Sequence, residues 1–356
     1  MYKSLQGGRA IAAMLVVLFH LGEAVAAKKY FGIAAFSIPF KFGSAGIELF
    51  FVLSGFIIFS SHSSDLYQPG KLADYIKKRF VRIFPTYWIV FFVVFFLATL
   101  SSSLRNTVPH DIFVLAKSLF LIPQDKNIVG GSGAPVIIVA WTLQYEILFY
   151  LLFGALFFSK WISVTIGGSL FVIYIYINYN KVLLFPLSFL AQDYILLFVM
   201  GMVVSLVCTS KKIVVNSPKL YTSAGALMFL LVALDLVMNI NFLVGWRTIL
   251  YGLAGGLMVF GLVQAEDKNI IIFGNRWLQI LGDSSYALYL IHYPLISIMC
   301  KLALLVSLNK HGLTGALIAY FAIFYVCLTS SVIFHLKIEK PVVAYFQSRL
   351  TNRAQI

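Results

Sequence analysis

The 356-residue sequence has few charged residues, which make up 11% of the chain, whereas hydrophobic residues make up 61%. A soluble domain carries roughly 25% charged residues, so this composition excludes an ordinary water-soluble protein. The apolar runs are continuous and do not alternate in polarity with a period of two, which excludes a transmembrane β-barrel. The sequence therefore predicts an all-α, polytopic integral membrane protein.

Residues that hold metals or disulfides are also scarce. The three cysteines each lie in an apolar segment without CxxC spacing, and we interpret them as packing residues: Cys208, Cys300 and Cys327. The histidines lack HExxH or similar spacing, so no metal is predicted. We expect four of them in loops or at interfaces: His62, His110, His311 and His335.

Apolar runs long enough to cross a bilayer, which takes about 20 residues, recur about ten times. We predict spans at residues 8–27, 43–61, 83–101, 136–158, 161–178, 188–208, 220–238, 243–265, 283–307 and 315–336. The shorter segment 111–122 is expected to be interfacial or re-entrant. The first run imitates a secretory signal peptide, but we interpret it as the first helix. One transmembrane domain is expected over residues 1–356, with no appended periplasmic domain.

The positive charges indicate an orientation. Ten spans place both termini on one side of the membrane, and if that side is cytoplasmic it carries 17 of the 27 Lys and Arg residues. Because Lys and Arg concentrate in cytoplasmic loops, we expect both termini in the cytoplasm. This asymmetry also accounts for the net charge of +14, and no nucleic-acid partner is predicted.

The first span carries two polar groups, Arg9 and His20. Eleven helical residues turn to within about 20° of the start and rise roughly 16 Å, so both side chains lie on one face at two depths. Ionisable residues at membrane depth normally face a protein interior or a wet cavity. Arg9 alone is equally consistent with an interfacial anchor, and His20 with a buried, hydrogen-bonded histidine.

Further polar groups are predicted at a similar depth, in the outer half of the membrane. Glu48 and Glu146 lie on the second and fourth spans and His292 on the ninth, where Ser285 and Tyr289 share its face. Two histidines and two carboxylates at this depth are more ionisable side chains than the packing of membrane helices requires. A carboxylate beside an imidazole raises its basicity, which suits a general base that acts on a hydroxyl.

A basic cluster precedes the third span and comprises Lys77, Lys78, Arg79 and Arg82. Arg79 and Arg82 are three residues apart and can bind a phosphate through their forked guanidinium groups. The cluster is also consistent with a positive-inside anchor or a site for anionic membrane lipids. Neither GxxxxGK[ST] nor GxGxxG occurs, so side chains would hold the phosphate. This layout would suit transfer of a group from a cytoplasmic phosphorylated donor to a hydroxyl on the outer side.

Six motifs, in the same order, resemble those of the membrane acyltransferase family 3. They are R-x10-H (Arg9 and His20), ELFFVLSGFII (48–58), the RxxR pair that runs into RIFPTYW (82–88), WTLQYEILFY (141–150), SSYALYLIHYPL (284–295) and IEKP (338–341). The resemblance spans most of the chain. It implies about ten helices in a bacterial inner membrane and O-acylation of an exopolysaccharide or O-antigen.

The resemblance also implies chemistry and site residues. An acyl group, usually acetyl, would pass from cytoplasmic acyl-CoA to a hydroxyl of a surface, exported or lipid-linked glycan. His20 would be the base. Arg9, Arg79 and Arg82 would contact the CoA phosphates or keep the donor site in shape, with Lys77 of the same cluster in the donor-binding set. Glu146 would orient a catalytic group or the acceptor, and Glu48 would join the catalytic set. Beyond the resemblance, we expect Tyr289 or His292 as the neighbouring donor that stabilises the oxyanion, and an acyl-enzyme through Ser285 or His20 stays open.

Three other functions fit parts of the pattern. A transporter or flippase for a lipid-linked sugar would use polar groups at membrane depth, but it predicts inverted repeats, which the sequence lacks. The other large family of membrane O-acyltransferases uses an Asn and a His on differently placed helices, which the R-x10-H helix disfavours. A sensor or scaffold that binds acyl-CoA or anionic lipid without turnover would be distinguished only by an assay.

Overall fold

The computed structural model describes residues 2–100, 105–180, 184–190, 192–210 and 215–352, which form helices and turns with no β-strand among them. The α-helices are α1 (Lys3–Ala26), α2 (Gly46–His62), α3 (Leu72–Leu100), α4 (Ile112–Leu119), α5 (Lys126–Val129), α6 (Trp141–Ala155), α7 (Lys160–Asn180), α8 (Leu187–Leu190), α9 (Tyr194–Thr209), α10 (Pro218–Val237), α11 (Arg247–Glu266), α12 (Arg276–Asp283), α13 (Ser285–Leu305), α14 (Gly312–Phe334) and α15 (Lys340–Asn352). By length and composition, ten helical stretches in the described ranges can cross a membrane, which confirms the predicted architecture.

The third helix departs most from its predicted bounds. It begins at Leu72 rather than at residue 83 and continues through Pro85. Lys and Arg are good helix formers, so the basic cluster extends the helix, although a hydropathy pattern detects only the apolar part. The segment predicted at 111–122 forms the eight-residue α4, in which the side chain of Asp111 accepts hydrogen bonds from the first turn.

The chain divides into two compact units. The first unit comprises Met1–Ser61 and Leu196–Leu336, and the second comprises His62–Ile195 and Lys337–Ile356. Arg9, His20, Glu48, Tyr289 and His292 therefore belong to the first unit. Lys77, Arg79, Arg82 and Glu146 belong to the second.

In the first unit, α1 packs against α13 and α14 around one hydrophobic cluster. Cys300 and Cys327 are free thiols within this cluster, and Cys208 is a half-buried free thiol on α9. Burial of the first two confirms that they are packing residues.

Glycines allow the helices of the first unit to approach closely. Gly46, at the start of α2, lies against the carbonyl oxygen of Ala12, so a methyl group there would clash with the backbone of α1. Gly55 of α2 likewise lies against the carbonyl of Phe198 on α9. Small residues at such crossings let helix backbones pack in a membrane, where burial of apolar surface supplies little driving force.

In the second unit, aromatic side chains and long-range hydrogen bonds join α3 to its neighbours. The Tyr75 hydroxyl donates to the Tyr150 carbonyl on α6 at 3.0 Å. The Tyr87 hydroxyl donates to the carbonyl of Ser118 on α4 at 2.7 Å, and the indole of Trp88 donates to that of Leu119 at 2.9 Å. These bonds satisfy polar tips of aromatic residues whose rings pack inside the unit.

Candidate active site

Two histidines from distant parts of the sequence meet in the first unit. His20 lies on α1 and His292 on α13, and their ring centroids are 5.3 Å apart with an angle of 36° between the planes. The sequence placed both in the catalytic set, and the fold brings their rings together. Contacts between α1 and α13 along the helices hold this arrangement.

His292 has a ring nitrogen that can accept a hydrogen bond and has no donor in the described part of the chain. Its side chain is fully buried, and its Nδ1 lies 3.0 Å from the Leu288 carbonyl oxygen. Because a carbonyl oxygen only accepts, Nδ1 carries the hydrogen, and in the neutral ring Nε2 has a lone pair. That Nε2 is buried and has no hydrogen-bond partner among the described residues. Such atoms are rare in folded proteins, and a buried orphan acceptor indicates a place for a proton or a ligand group.

His20 is the more accessible of the pair. It is half-buried, and neither of its ring nitrogens hydrogen-bonds to another residue in the described ranges. Phe19 packs against its ring at 4.9 Å, and Tyr293 contacts it edge-on at 5.3 Å. A base that acts on a bound hydroxyl needs this combination of a positioned ring and an unoccupied nitrogen.

Tyr289 lies one turn before His292, with ring centroids 5.8 Å apart. It is buried and is the predicted oxyanion donor of this cluster. Sequence reasoning missed Tyr293, whose ring contacts that of His20. Tyr293 follows His292 directly, so its side chain points about 100° around α13 from that of His292. This position beside a candidate catalytic residue could have indicated it.

Arg9 is fixed at the other end of α1. Its guanidinium donates to Ser285 Oγ at 2.9 Å and to Gln6 Oε1 at 3.2 Å. The amide of Gln6 in turn donates to Asp283. The Arg9–Ser285 hydrogen bond thus ties α1 to the start of α13, and the ring contact of His20 with His292 joins the same two helices further along.

The two predicted carboxylates have different surroundings. Glu48, on the first turn of α2, is half-buried and forms no ion pair with a described Lys, Arg or His. It interacts electrostatically with Tyr251 of α11. Glu146 belongs to the second unit, where it accepts a hydrogen bond from the hydroxyl of Tyr150, the ring of which lies under the guanidinium of Arg79.

A second site, in the second unit, is built around Arg79. Its Nη2 donates to His62 Nε2 at 3.2 Å, and His62 Nδ1 lies 3.1 Å from Asp65 Oδ2. The guanidinium also lies over the rings of Tyr75 and Tyr150, 5.8 and 5.6 Å from their centroids. Its Nε is buried and unpartnered among the residues described. Arg79 is therefore held in place with one N–H still available to a ligand.

His62 corrects a prediction. We expected it in a loop or at an interface, but it is the last residue of α2, is 4% exposed and bridges Asp65 to Arg79. The reason is local: Asp65, three residues on, holds Nδ1–H, so Nε2 can accept from a guanidinium. The three-residue spacing of His62 and Asp65 is the sequence pattern that could have indicated this hydrogen bond.

The other basic side chains of α3 are paired differently. Arg82 forms an ion pair with Glu339 at 3.3 Å, and the side chain of Glu339 is 1% exposed. Glu339 belongs to the IEKP motif, whose role the sequence did not indicate. Lys77 is exposed and lies 3.8 Å from Asp74 in a surface ion pair. In the described part of the chain, no three His, Cys, Asp or Glu side chains are grouped to hold a metal.

The similarity of this sequence to known proteins shows which family it belongs to. A family model described as an acyltransferase domain matches residues 2–336. The chain belongs to the membrane acyltransferase family 3. The exopolysaccharide production protein ExoZ of Rhizobium meliloti is 30% identical over 282 residues, which cover 76% of this chain and 82% of ExoZ.

A second relative is larger. The peptidoglycan O-acetyltransferase OatA of Listeria monocytogenes is 24% identical over 321 residues, which cover 83% of this chain and 49% of OatA. This acyltransferase thus spans about half the length of OatA. No solved structure matches the chain.

Proposed function

We propose that this acyltransferase moves an acetyl group from acetyl-CoA to a hydroxyl of a polysaccharide. The observation that carries the proposal is the contact of His20 with His292, whose Nε2 is unpartnered. The names of ExoZ and OatA, which refer to exopolysaccharide and peptidoglycan, support a glycan acceptor in surface, exported or lipid-linked form. A multi-pass position in a bacterial inner membrane, as one domain with both termini in the cytoplasm, completes the proposal.

His20 acts as the general base in this proposal. It removes the proton from the acceptor hydroxyl, and the oxygen attacks the thioester carbonyl carbon. The C–S bond then breaks, CoA leaves as a thiolate, and the proton from His20 neutralises the thiolate. Base catalysis of this kind contributes typically about 10²- to 10⁴-fold to a rate.

His292 supports His20 by accepting rather than donating. In its neutral form, Nε2 offers a lone pair that stabilises the protonated state of the neighbouring His20. Stabilisation of the oxyanion therefore falls to Tyr289, because neutral His292 has no N–H to give at Nε2. A direct transfer by this route requires no acyl-enzyme.

We propose that the acyl donor is bound by the basic side chains of α3 and by Arg9. CoA carries phosphates, and a fixed guanidinium with an unpartnered N–H is suited to bind one; Arg79 is such a group. Arg82 and Lys77 add positive charge along α3, although Glu339 and Asp74 offset part of it. Arg9 contributes to donor binding near the start of α13. Glu146 orients Tyr150, and the ring of Tyr150 positions the guanidinium of Arg79.

The proposal is tested by following the label of [¹⁴C]acetyl-CoA in membrane vesicles that contain the wild-type protein. We expect alkali-labile label on glycan extracted from the vesicles, because an O-acetyl ester is cleaved by mild base. Vesicles without the protein give the background. A transporter or flippase without acyl chemistry would leave the glycan unlabelled, and that result would overturn the proposal.

A further inference from the structure

Tyr251 of α11 is a buried tyrosine whose hydroxyl is not satisfied. The residue is 4% exposed, and its hydroxyl has no hydrogen-bond partner among the described residues. A buried tyrosine normally places its O–H against an acceptor, because an unmade hydrogen bond in a low-dielectric interior is costly. The sequence motifs did not include this residue, and no role assigned above uses it.

The ring of Tyr251 packs next to the helix that carries the R-x10-H pair. It belongs to a hydrophobic cluster that also contains Ala45 and Phe229 and that contacts Leu15 of α1, which lies between Arg9 and His20 in the sequence. Its ring centroid is 4.8 Å from that of Phe229. The hydroxyl is thus carried by a firmly packed ring beside the middle of α1.

Glu48 lies on the helix against which α11 packs. Gly255, one turn after Tyr251, faces Leu49 and Val52 of α2, which places the start of α2 beside this part of α11. The Glu48 carboxylate interacts electrostatically with the Tyr251 hydroxyl, yet the two form no hydrogen bond. Glu48 is half-buried, so a side chain that accepts hydrogen bonds and an unused hydroxyl donor lie on neighbouring helices.

The charges nearby indicate what kind of ligand fits. Arg247 donates two hydrogen bonds to Asp235, at 3.1 and 2.7 Å, and a third to Asn241. Its positive charge is therefore already balanced by Asp235, which is itself 5% exposed. Glu48 is the other acidic group that acts on the Tyr251 hydroxyl, and a hydroxyl donor beside a carboxyl group suits a neutral ligand group that both donates and accepts, such as a sugar hydroxyl.

We propose that Glu48 and Tyr251 form a binding subsite for the glycan acceptor. One sugar hydroxyl accepts a hydrogen bond from Tyr251 Oη and donates its own hydrogen to Glu48. The subsite rests on the proposed acetyl transfer and assigns part of its acceptor specificity. It holds the sugar beside α1 and takes no part in proton transfer to His20.

The test uses the full-length protein in liposomes with [¹⁴C]acetyl-CoA. The acceptor probe is envelope glycan from the protein's own host cells, stripped of its esters with mild alkali. Two rates are measured: transfer to glycan as the glycan concentration varies, and release of CoA without glycan, when water is the acceptor. We expect Tyr251→Phe to raise the KM for glycan by about 3- to 10-fold, the effect of one neutral hydrogen bond, with KM for acetyl-CoA and the rate without glycan unchanged.

Tyr320→Phe is the matched control. Tyr320 is 6% exposed in the hydrophobic cluster around α1, α13 and α14, and its hydroxyl lies 3.5 Å from the Leu18 carbonyl oxygen, a long contact. The control should leave the KM for glycan unchanged. Glu48→Gln, which keeps an acceptor oxygen but removes the charge, should raise the KM for glycan as Tyr251→Phe does.

The outcomes separate the subsite from the proposed function. If the wild-type protein neither labels glycan nor releases CoA, the acetyl-transfer proposal fails and the subsite with it. If wild type transfers acetyl and Tyr251→Phe has an unchanged KM for glycan, only the subsite is wrong. If Tyr251→Phe loses both rates and its thermal stability together, the hydroxyl is structural and the subsite is equally wrong.

Discussion

The histidine pair of the first unit and the arginine site of the second use their polar atoms in opposite ways. His20 and His292 are held by ring packing, and His292 Nε2 has no partner in the described structure. Arg79 is held by polar bonds, through His62 to Asp65. A general base needs a free lone pair, whereas a group that binds a phosphate needs a fixed orientation. The difference thus indicates a chemical role for the first site and a binding role for the second.

His20→Ala should have the largest effect, because it removes the base and leaves the binding groups intact. We expect kcat for acetyl transfer to fall by about 10²- to 10⁴-fold. The rate is measured with radiolabelled acetyl-CoA at matched expression. His311→Ala, at an exposed histidine of the same unit, serves as the control and should retain the wild-type rate. A kcat for His20→Ala within a few-fold of wild type would remove His20 as the base.

Arg79→Ala should weaken the binding of acetyl-CoA rather than slow the chemical step. A charge-assisted hydrogen bond contributes about 1.5–3 kcal/mol, which corresponds to a rise in KM for acetyl-CoA of roughly 10- to 100-fold. Acetyl-pantetheine lacks the phosphates, so its KM should be the same for the variant and the wild type. An equal loss with both donors would show that Arg79 supports the fold instead of a phosphate.

His62→Ala should produce a smaller change of the same kind. It removes the acceptor that orients Arg79 but leaves the guanidinium charge, so we expect KM for acetyl-CoA to rise by about 3- to 10-fold. His62→Gln retains an acceptor at this position and should recover part of the loss. If kcat falls while KM stays constant, His62 is not a positioning residue for the donor site.

Lys77→Ala should have the smallest effect among the basic residues. Its ammonium is exposed and paired with Asp74 at 3.8 Å, and surface pairs of this kind contribute about 0–1 kcal/mol. We expect KM for acetyl-CoA to change less than about 2-fold at physiological salt, where exposed charges are screened. A change as large as that of Arg79→Ala would place Lys77 in direct contact with a phosphate.

Much of the fold follows from local patterns in the sequence. Long apolar runs predicted about ten spans, and the structure has ten such stretches in its described ranges. The basic start of α3 lies outside the predicted span, because hydropathy detects apolar residues and not the continuation of a helix through charged ones. Which side the termini face stays a prediction.

The candidate site was only partly predictable. The eleven-residue spacing placed Arg9 and His20 on one face, but a single helix does not reveal its neighbour, so the contact of His20 with His292 required the fold. The spacing of His62 from Asp65 is visible in the sequence, but its contact with Arg79 required the fold. Tyr251 was missed because a buried hydroxyl without a partner is seen only in the fold.

The most direct test of the account measures kcat and KM for acetyl-CoA side by side for His20→Ala and Arg79→Ala. We expect His20→Ala to lower kcat with KM nearly unchanged, and Arg79→Ala to raise KM with kcat nearly unchanged. If both variants change the same parameter, the division between a chemical site and a donor-binding site is contradicted.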